Sequence, residues 1–352
     1  MLVYATVPGF YAEVERVAHP GLAGRPVIVG GDPRKRGLVQ SATPDALERG
    51  VVVGMLMREA LERCPQGRAL RTDMRHYRDV ASRLRACFRR LTDRIEPAGL
   101  DAAFLEPKRR EQSADDLAMR LRERVREELR LPLRVGIAPV KFLAKIAAEE
   151  SETTGILRID SGEVTSFLAP LPVSRLPGVG AKTEAKLSQL SVHTVGEVAA
   201  LGREVLEEHL GNHGLAILGY AQGRDESRLR AAPHPRSLSQ ESTLDSDELD
   251  LPVIRERIEE LAQRLEGGLA LERLAAKRVT LKLRYADQEQ TTRSRTLVRP
   301  VAASRDLAAL AADLLGRTQA GIRPVRLVGL AVASLIRSRR EDRQLDLFPS
   351  DS

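Results

Sequence analysis

Residues 4–15 read YATVPGFYAEVE: a short strand-like lead-in, a Pro-Gly break at Pro8 and Gly9, and the start of an amphipathic helix. A strand that stops at a turn and feeds a helix is a common place for a catalytic carboxylate. Here the junction offers only Thr6 and Pro8, and the acids Glu13 and Glu15 come after the turn, on the helix.

Outward from this stretch, residues 1 to about 163 alternate strand and helix signals. Strand-like runs are LVYATV, RPVIVGG (25–31), GLVQSA (37–42), RIEPAGL (94–100), AAFLE (102–106) and LRVGIAP (133–139). Helix-like segments fall at 10–18, 55–64, 75–92, 113–130 and 140–150. In MRHYRDVASRLRACFRRLTDR, Tyr77, Val80, Leu84, Cys87, Phe88 and Leu91 recur at 3–4 spacing, a buried stripe on a basic helix. The order of elements predicts helices packed on one face of a sheet. Residues 164–231 turn all-helical with Gly-rich breaks, and the polar, Pro-containing stretch that follows, to residue 242, reads as a linker. Residues 243–337 predict a small α+β domain, with a helix at 252–267 and another at 304–316, and strands at 278–286, 293–300 and 325–335. A charged tail, 338–352, is expected to be disordered apart from one apolar cluster. The fold class is therefore multidomain α+β.

Of the 352 residues, 56 are Lys or Arg and 49 are Asp or Glu, a formal charge of +7 that fits a polyanionic partner. Aromatics make up 3% and Trp is absent, which favours contacts to phosphate over base stacking. Cys64 and Cys87 lack metal-ligand spacing and read as core residues of a protein in a reducing cytoplasm. No apolar run approaches the roughly 20 residues that a membrane span needs.

Three segments carry chemistry. LPGVGAKTEAKL (176–187) has a Pro-Gly-Val-Gly turn opening a helix, where Gly178, Val179 and Gly180 let a phosphate approach the backbone and Lys182 stands just inside. This is the pattern of a helix-hairpin-helix; a tight turn without ligand is the alternative. In VTLKLRYADQEQTTRSRTL (279–297), apolar Val279, Leu281, Leu283 and Tyr285 alternate with Thr280, Lys282 and Arg284, and Arg293 and Arg295 repeat the pattern in the partner strand. That predicts a sheet with one core face and one basic face, either merely solvated or laid along a duplex. In the tail, Gln344, Leu345, Leu347 and Phe348 form QLDLF, apolar residues with no core of their own, suited to a partner's groove.

Taken in order, these blocks resemble the Y-family translesion DNA polymerases of the bacterial DinB/UmuC class. RPVIVGGDPRKRGLVQSATPDALERGV looks like the fingers segment, MRHYRDVASRL the palm helix, and GIAPVKFLAKIAAEESETTGI the block containing N-K-x-L-A-K. LPGVG looks like part of the thumb, VTLKLRYADQEQTTRSRTL like part of the little finger, and QLDLF resembles a sliding-clamp docking pentapeptide. The resemblance implies a right hand: palm at 1–18 and 73–163, fingers at 19–72, thumb at 164–231, a linker at 232–242 and a little finger at 243–337.

Members of this family transfer phosphoryl groups with two magnesium ions held by three carboxylates. YATVPGFYAEVE aligns with the first carboxylate block, D-x-D-x-F-[FY], so that the metal-ligating Asp falls on Thr6 and the second Asp on Pro8. The block S-x-D-E-x-[YF]-L-D is GLDAAFLE (99–106) here, which keeps Asp101 and places Ala102 at the Glu position. In the triphosphate segment, Tyr and Arg positions fall on Pro44 and Leu47, while Tyr11, at the position that screens out ribonucleotides, and Lys145 are kept. The resemblance therefore implies a polymerase homologue without an intact metal cage, similar to the ImuB-type proteins of bacterial mutagenesis cassettes. Its expected partners are primer-template DNA, the sliding clamp and a second polymerase, with no membrane. No cofactor is expected, and magnesium only if the chain is active. An active low-fidelity polymerase with an altered metal site, and a competitor for clamp or lesion sites, are the alternatives.

Overall fold

The computed structural model describes residues 1–108, 112–151, 155–230 and 237–337. Two compact units are present, Met1–Ala232 and Pro233–Ser352. The first runs β1 (Leu2–Thr6), α1 (Phe10–Ala18), β2 (Val27–Gly30), β3 (Val39–Ala42), α2 (Pro44–Leu47), α3 (Met57–Arg63), β4 (Arg68–Arg71), α4 (Met74–Arg89), β5 (Ile95–Pro97), β6 (Ala102–Leu105), α5 (Ala114–Leu129), β7 (Arg134–Ala138), α6 (Lys141–Glu150) and β8 (Ile156–Arg158). Helices α7 (Val164–Leu168), α8 (Ala181–Gln189), α9 (Val195–Ala200), α10 (Arg203–Leu210) and α11 (Asn212–Ala221) follow.

Strand β1 is the centre of a five-stranded sheet ordered β5-β6-β1-β7-β8. Successive side chains of a strand point to opposite faces. Val3, Ala5 and Val7 accordingly enter a core with Leu117 and Leu121 of α5 and with Tyr77, Leu84 and Phe88 of α4. Tyr4 enters a second core with Phe142 and Ile146 of α6 and with residues of α7 to α11. Helices thus cover both faces, not the single face that the order of elements predicts. The reason is Gly136, paired with Tyr4 across β7 and β1: a Cβ there would collide with the Ala144 carbonyl, so α6 lies directly on the strand backbone.

The caps that delimit these helices are local. Asp73 accepts from the amides of Arg75 and His76 at 3.0 and 3.1 Å to start α4, and Ser113 accepts from Asp116 to start α5. Arg130, at φ 56°, ends α5 in a left-handed cap. Beside this sheet, β3-β2-β4 form a smaller one, in which Val27 and Val29 face the first core and Ile28 faces a separate cluster with Met57, Ala60 and Cys64. Strands β4 and β8 carry too little apolar alternation to stand out in the sequence, and the strand expected over 94–100 is confined to Ile95–Pro97.

The second unit runs β9 (Ser237–Glu248), α12 (Leu251–Glu272), β10 (Leu274–Tyr285), β11 (Gln290–Val301), α13 (Ser304–Leu315) and β12 (Val325–Arg337). Its antiparallel sheet is ordered β11-β10-β12-β9, with α12 and α13 sharing a core with one face. The expected linker over 232–242 is corrected by β9: from Ser237 onward the chain is an edge strand, pairing Ser237 with Ala333 and Thr243 with Leu327. Only one face of β9 packs, and its polar composition hid it.

Candidate active site and nucleic-acid interface

Strand register assembles the first site. Thr6 and Ala102 are direct partners across β1 and β6, on the face that also carries Tyr4 and Phe104. The amide of Val7 donates to the Asp101 carbonyl at 3.0 Å, which fixes Asp101 at the same strand end. There the Thr6 hydroxyl donates to Asp101 Oδ2 at 3.3 Å. Burial pushes the Asp101 carboxyl above its ordinary value, and its own amide, the Thr6 hydroxyl and the Lys145 ammonium pull it part-way back. Tyr4 behind it is pushed up to about 12, first by burial and then by the charge of Asp101.

Magnesium requires near-octahedral oxygen ligands, drawn chiefly from carboxylates. Ala102 has no donor, Thr6 has a neutral hydroxyl, and one carboxylate cannot offset two divalent charges. The residues at this strand end do not fit a two-metal centre. Other nearby acids are engaged elsewhere: Glu13 is buried and held by Arg16 at 2.6 Å, Asp45 lies 3.6 Å from the same guanidinium, and Glu106 pairs with Arg94 at the far end of β6. Among the described residues no group of three or more His, Cys, Asp or Glu side chains is placed to hold a metal ion.

Beside Asp101 opens a pocket of about 420 Å³, lined by Tyr11, Gln40, Ser41, Leu47, Val53 and Leu100 among others. Tyr11 is held by stacking on Tyr77, with centroids 4.4 Å apart and planes 10° from parallel, while Tyr77 donates to buried Glu15 at 2.7 Å. Burial and the Asp101 charge both push the Tyr11 phenol up. Leu47 is exposed at the pocket wall and Pro44 opens α2, so neither supplies a charge for phosphate. Lys145 is half-exposed on α6, 3.9 Å from Glu149. A pairing that sequence spacing does not reveal is Lys141 with Glu96, 2.7 Å apart across 45 residues, with the ammonium 4.8 Å over the Phe104 ring.

The helix-hairpin-helix turn is formed. Gly178 has φ +83°, and a Cβ there would meet the His213 ring, whose Nε2 lies 3.1 Å from the Gly178 carbonyl. Gly180 caps α8, and a Cβ there would meet nothing among the described residues, so their packing does not require this glycine. Val179 is buried beneath the turn and Lys182 is exposed on the first turn of α8, where helix amides lack intrahelical partners.

In the second unit Val279, Leu281, Leu283 and Tyr285 are buried, as the alternation predicts. Arg278, Thr280, Lys282 and Arg284 point to the other face, which no helix among the described residues of the unit covers. The register corrects the placement of Arg293 and Arg295. They pair directly with Leu281 and Val279, so they lie on the helix-covered side, where Arg295 reaches Asp313 of α13 at 3.3 Å and Arg293 donates to the Arg317 carbonyl at 2.9 Å. The open face takes Thr292, Ser294 and Thr296 from β11 instead. Lys282 is not a bare cation either: it pairs with Glu241 of β9 at 2.8 Å, both reaching over Gly329. Residues 344–348 lie outside the described residues.

The chain matches the impB/mucB/samB family over residues 6–149, the C-terminal domain of that family over 235–347, and its helix-hairpin-helix motif over 161–190. It is 35% identical to a DNA polymerase IV of Alkalilimnicola ehrlichii over 351 residues, covering 99% of each chain. It is 34% identical to a DNA polymerase IV of Methanoculleus marisnigri, covering 99% of this chain and 98% of the other. Among solved structures, a Y-family polymerase chimera of Dbh and Dpo4 superposes with a TM-score of 0.84 at 23% identity, covering 95% of this chain and 99% of that one. An insertion ternary complex of Dbh DNA polymerase gives 0.67 at 23% identity, with the same coverage. The chain belongs to the Y-family DNA polymerases.

Proposed function

We propose that this chain is a non-catalytic Y-family member that binds primer-template DNA, docks on the sliding clamp and serves lesion bypass as an adaptor. One observation carries the reading: Thr6 and Ala102 face each other across β1 and β6, neither of them a carboxylate, with Asp101 beside them. In phosphoryl transfer by this class, metal ions supply most of the charge stabilisation in the transition state. A strand end with one carboxylate does not supply their cage, and the pocket beside it has lost the cation of Leu47's position. The DNA-binding parts are kept. The α8 turn presents Gly180 and Lys182 to solvent, and the open face of the second unit carries Arg278, Lys282 and Arg284. Such contacts neutralise phosphates and carry no sequence information. Clamp docking rests on QLDLF alone.

A second reading, an active polymerase with an altered metal site, draws on Asp101 and Tyr11, which line an open pocket, on Lys145, whose charge acts on Asp101, and on relatives named DNA polymerase IV. Primer extension with magnesium and with manganese separates the two. The adaptor reading expects duplex binding with no template-dependent incorporation.

A further inference from the structure

Away from the Thr6–Asp101 strand end, on the sheet face covered by α5, a cleft of about 720 Å³ lies between α1, the C-terminal half of α5 and the segment entering β7. Part of its lining is apolar: Val17, Met119, Pro132 and Ile156. Met119 is 58% exposed although it sits within a helix that buries its opposite stripe. A thioether in that position forms an adaptable apolar wall.

The cations of the cleft fall at helical spacing. Arg122 and Arg126 are four residues apart on α5, and Arg130, its left-handed C-cap, lines the cleft beside them. Arginines of α5 that point elsewhere are neutralised within the helix, Arg120 by Asp116 at 3.7 Å and Arg124 by Glu128 at 3.8 Å. The guanidiniums of Arg126 and Arg130 have no carboxylate within ion-pair range among the described residues. Arg16, which also lines the cleft, is engaged by Glu13 and Asp45.

We propose that this cleft docks an acidic segment of another protein that carries an apolar anchor. Carboxylates of the segment pair with Arg126 and Arg130, and the anchor lies against Met119, Val17 and Pro132. Charge complementarity selects the acidic partner. Single-stranded nucleic acid held by base stacking fits less well, because no aromatic ring lines the cleft. The Thr6 and Ala102 side chains lie on the opposite face of the sheet from the cleft. The proposal stands whether or not the chain is catalytic.

The test uses the full chain and a short fluorescein-labelled peptide of glutamates around a central pair of leucines, read by fluorescence anisotropy. The expected result is saturable binding that weakens at least about tenfold in the Arg126→Glu/Arg130→Glu variant, as reversal of two exposed ion-pair partners implies. Met119→Asp is expected to weaken it as well, while both variants still unfold in one cooperative transition; the charge-reversed one does so at a somewhat lower temperature, since Arg126 and Arg130 stand at the C-terminal end of α5. The same peptide with serines for leucines binds more weakly if the anchor is real. Undiminished binding by the charge-reversed variant overturns the proposal. So does equal binding of the serine peptide, or displacement of the leucine peptide by oligothymidylate of equal charge at lower concentration, which would make the cleft a nucleic-acid surface.

Discussion

At Asp101 burial opposes ionisation, and the folded state therefore holds a proton more tightly than the unfolded chain. A carboxyl whose folded value is raised contributes stability while protonated, and that contribution is lost as pH rises through the folded value. Asp101→Asn removes the titration. Its stability relative to the parent chain is expected to rise as pH climbs from about 4, near the ordinary carboxylate value, to neutrality. Urea unfolding across that range checks it, and a constant or falling difference contradicts the burial argument. In an intact metal site the opposite holds, since a bound divalent cation favours the carboxylate. The gaps at Thr6 and Ala102 were legible in the sequence because each falls inside an otherwise kept block. That they face each other was not, since register joins residues 96 apart. Neither was the Lys141–Glu96 pair, because ion-pair partners distant in sequence leave no periodic signal.

For the α8 turn, the two glycines make opposite predictions. Gly178→Ala meets both a positive φ and the His213 ring, and is expected to cost about 1–3 kcal/mol of stability. Gly180→Ala adds a methyl where none of the described residues stands, and surface changes of this kind stay within about 0.5 kcal/mol. If the turn cradles phosphate, Gly180→Ala nonetheless weakens duplex binding several-fold; unchanged affinity would reduce the motif to a tight turn. In the second unit the alternation in β10 was legible, and so was its buried face. The pairing of β10 with β11 was not: a shift of one residue moves every side chain to the other face. Arg293 and Arg295 therefore read as DNA contacts in sequence and as partners of α13 and its C-terminal end in the fold. Removing Arg284 is expected to lower the salt dependence of DNA binding by roughly one phosphate, removing Lys282 by less because Glu241 already pairs it, whereas Arg295→Ala leaves it unchanged. Filter binding at graded salt distinguishes these, and equal slopes for all three would contradict the face assignment.

Across the whole molecule, the two units have separate cores, and each carries a part of the proposed DNA interface. Family membership was legible end to end, because blocks at both termini and in between matched in order. The edge strand β9 was missed because one buried face and many serines look like a linker. The adaptor reading further expects that truncation before Gln344 abolishes binding to the sliding clamp while duplex affinity is kept; clamp binding by the truncated chain would contradict the docking role of QLDLF. The most direct test of the central claim is primer extension on a primer-template that the chain demonstrably binds, with magnesium and with manganese. No template-dependent incorporation is expected under either ion. Incorporation that is abolished by Asp101→Ala would show a working metal site and contradict it.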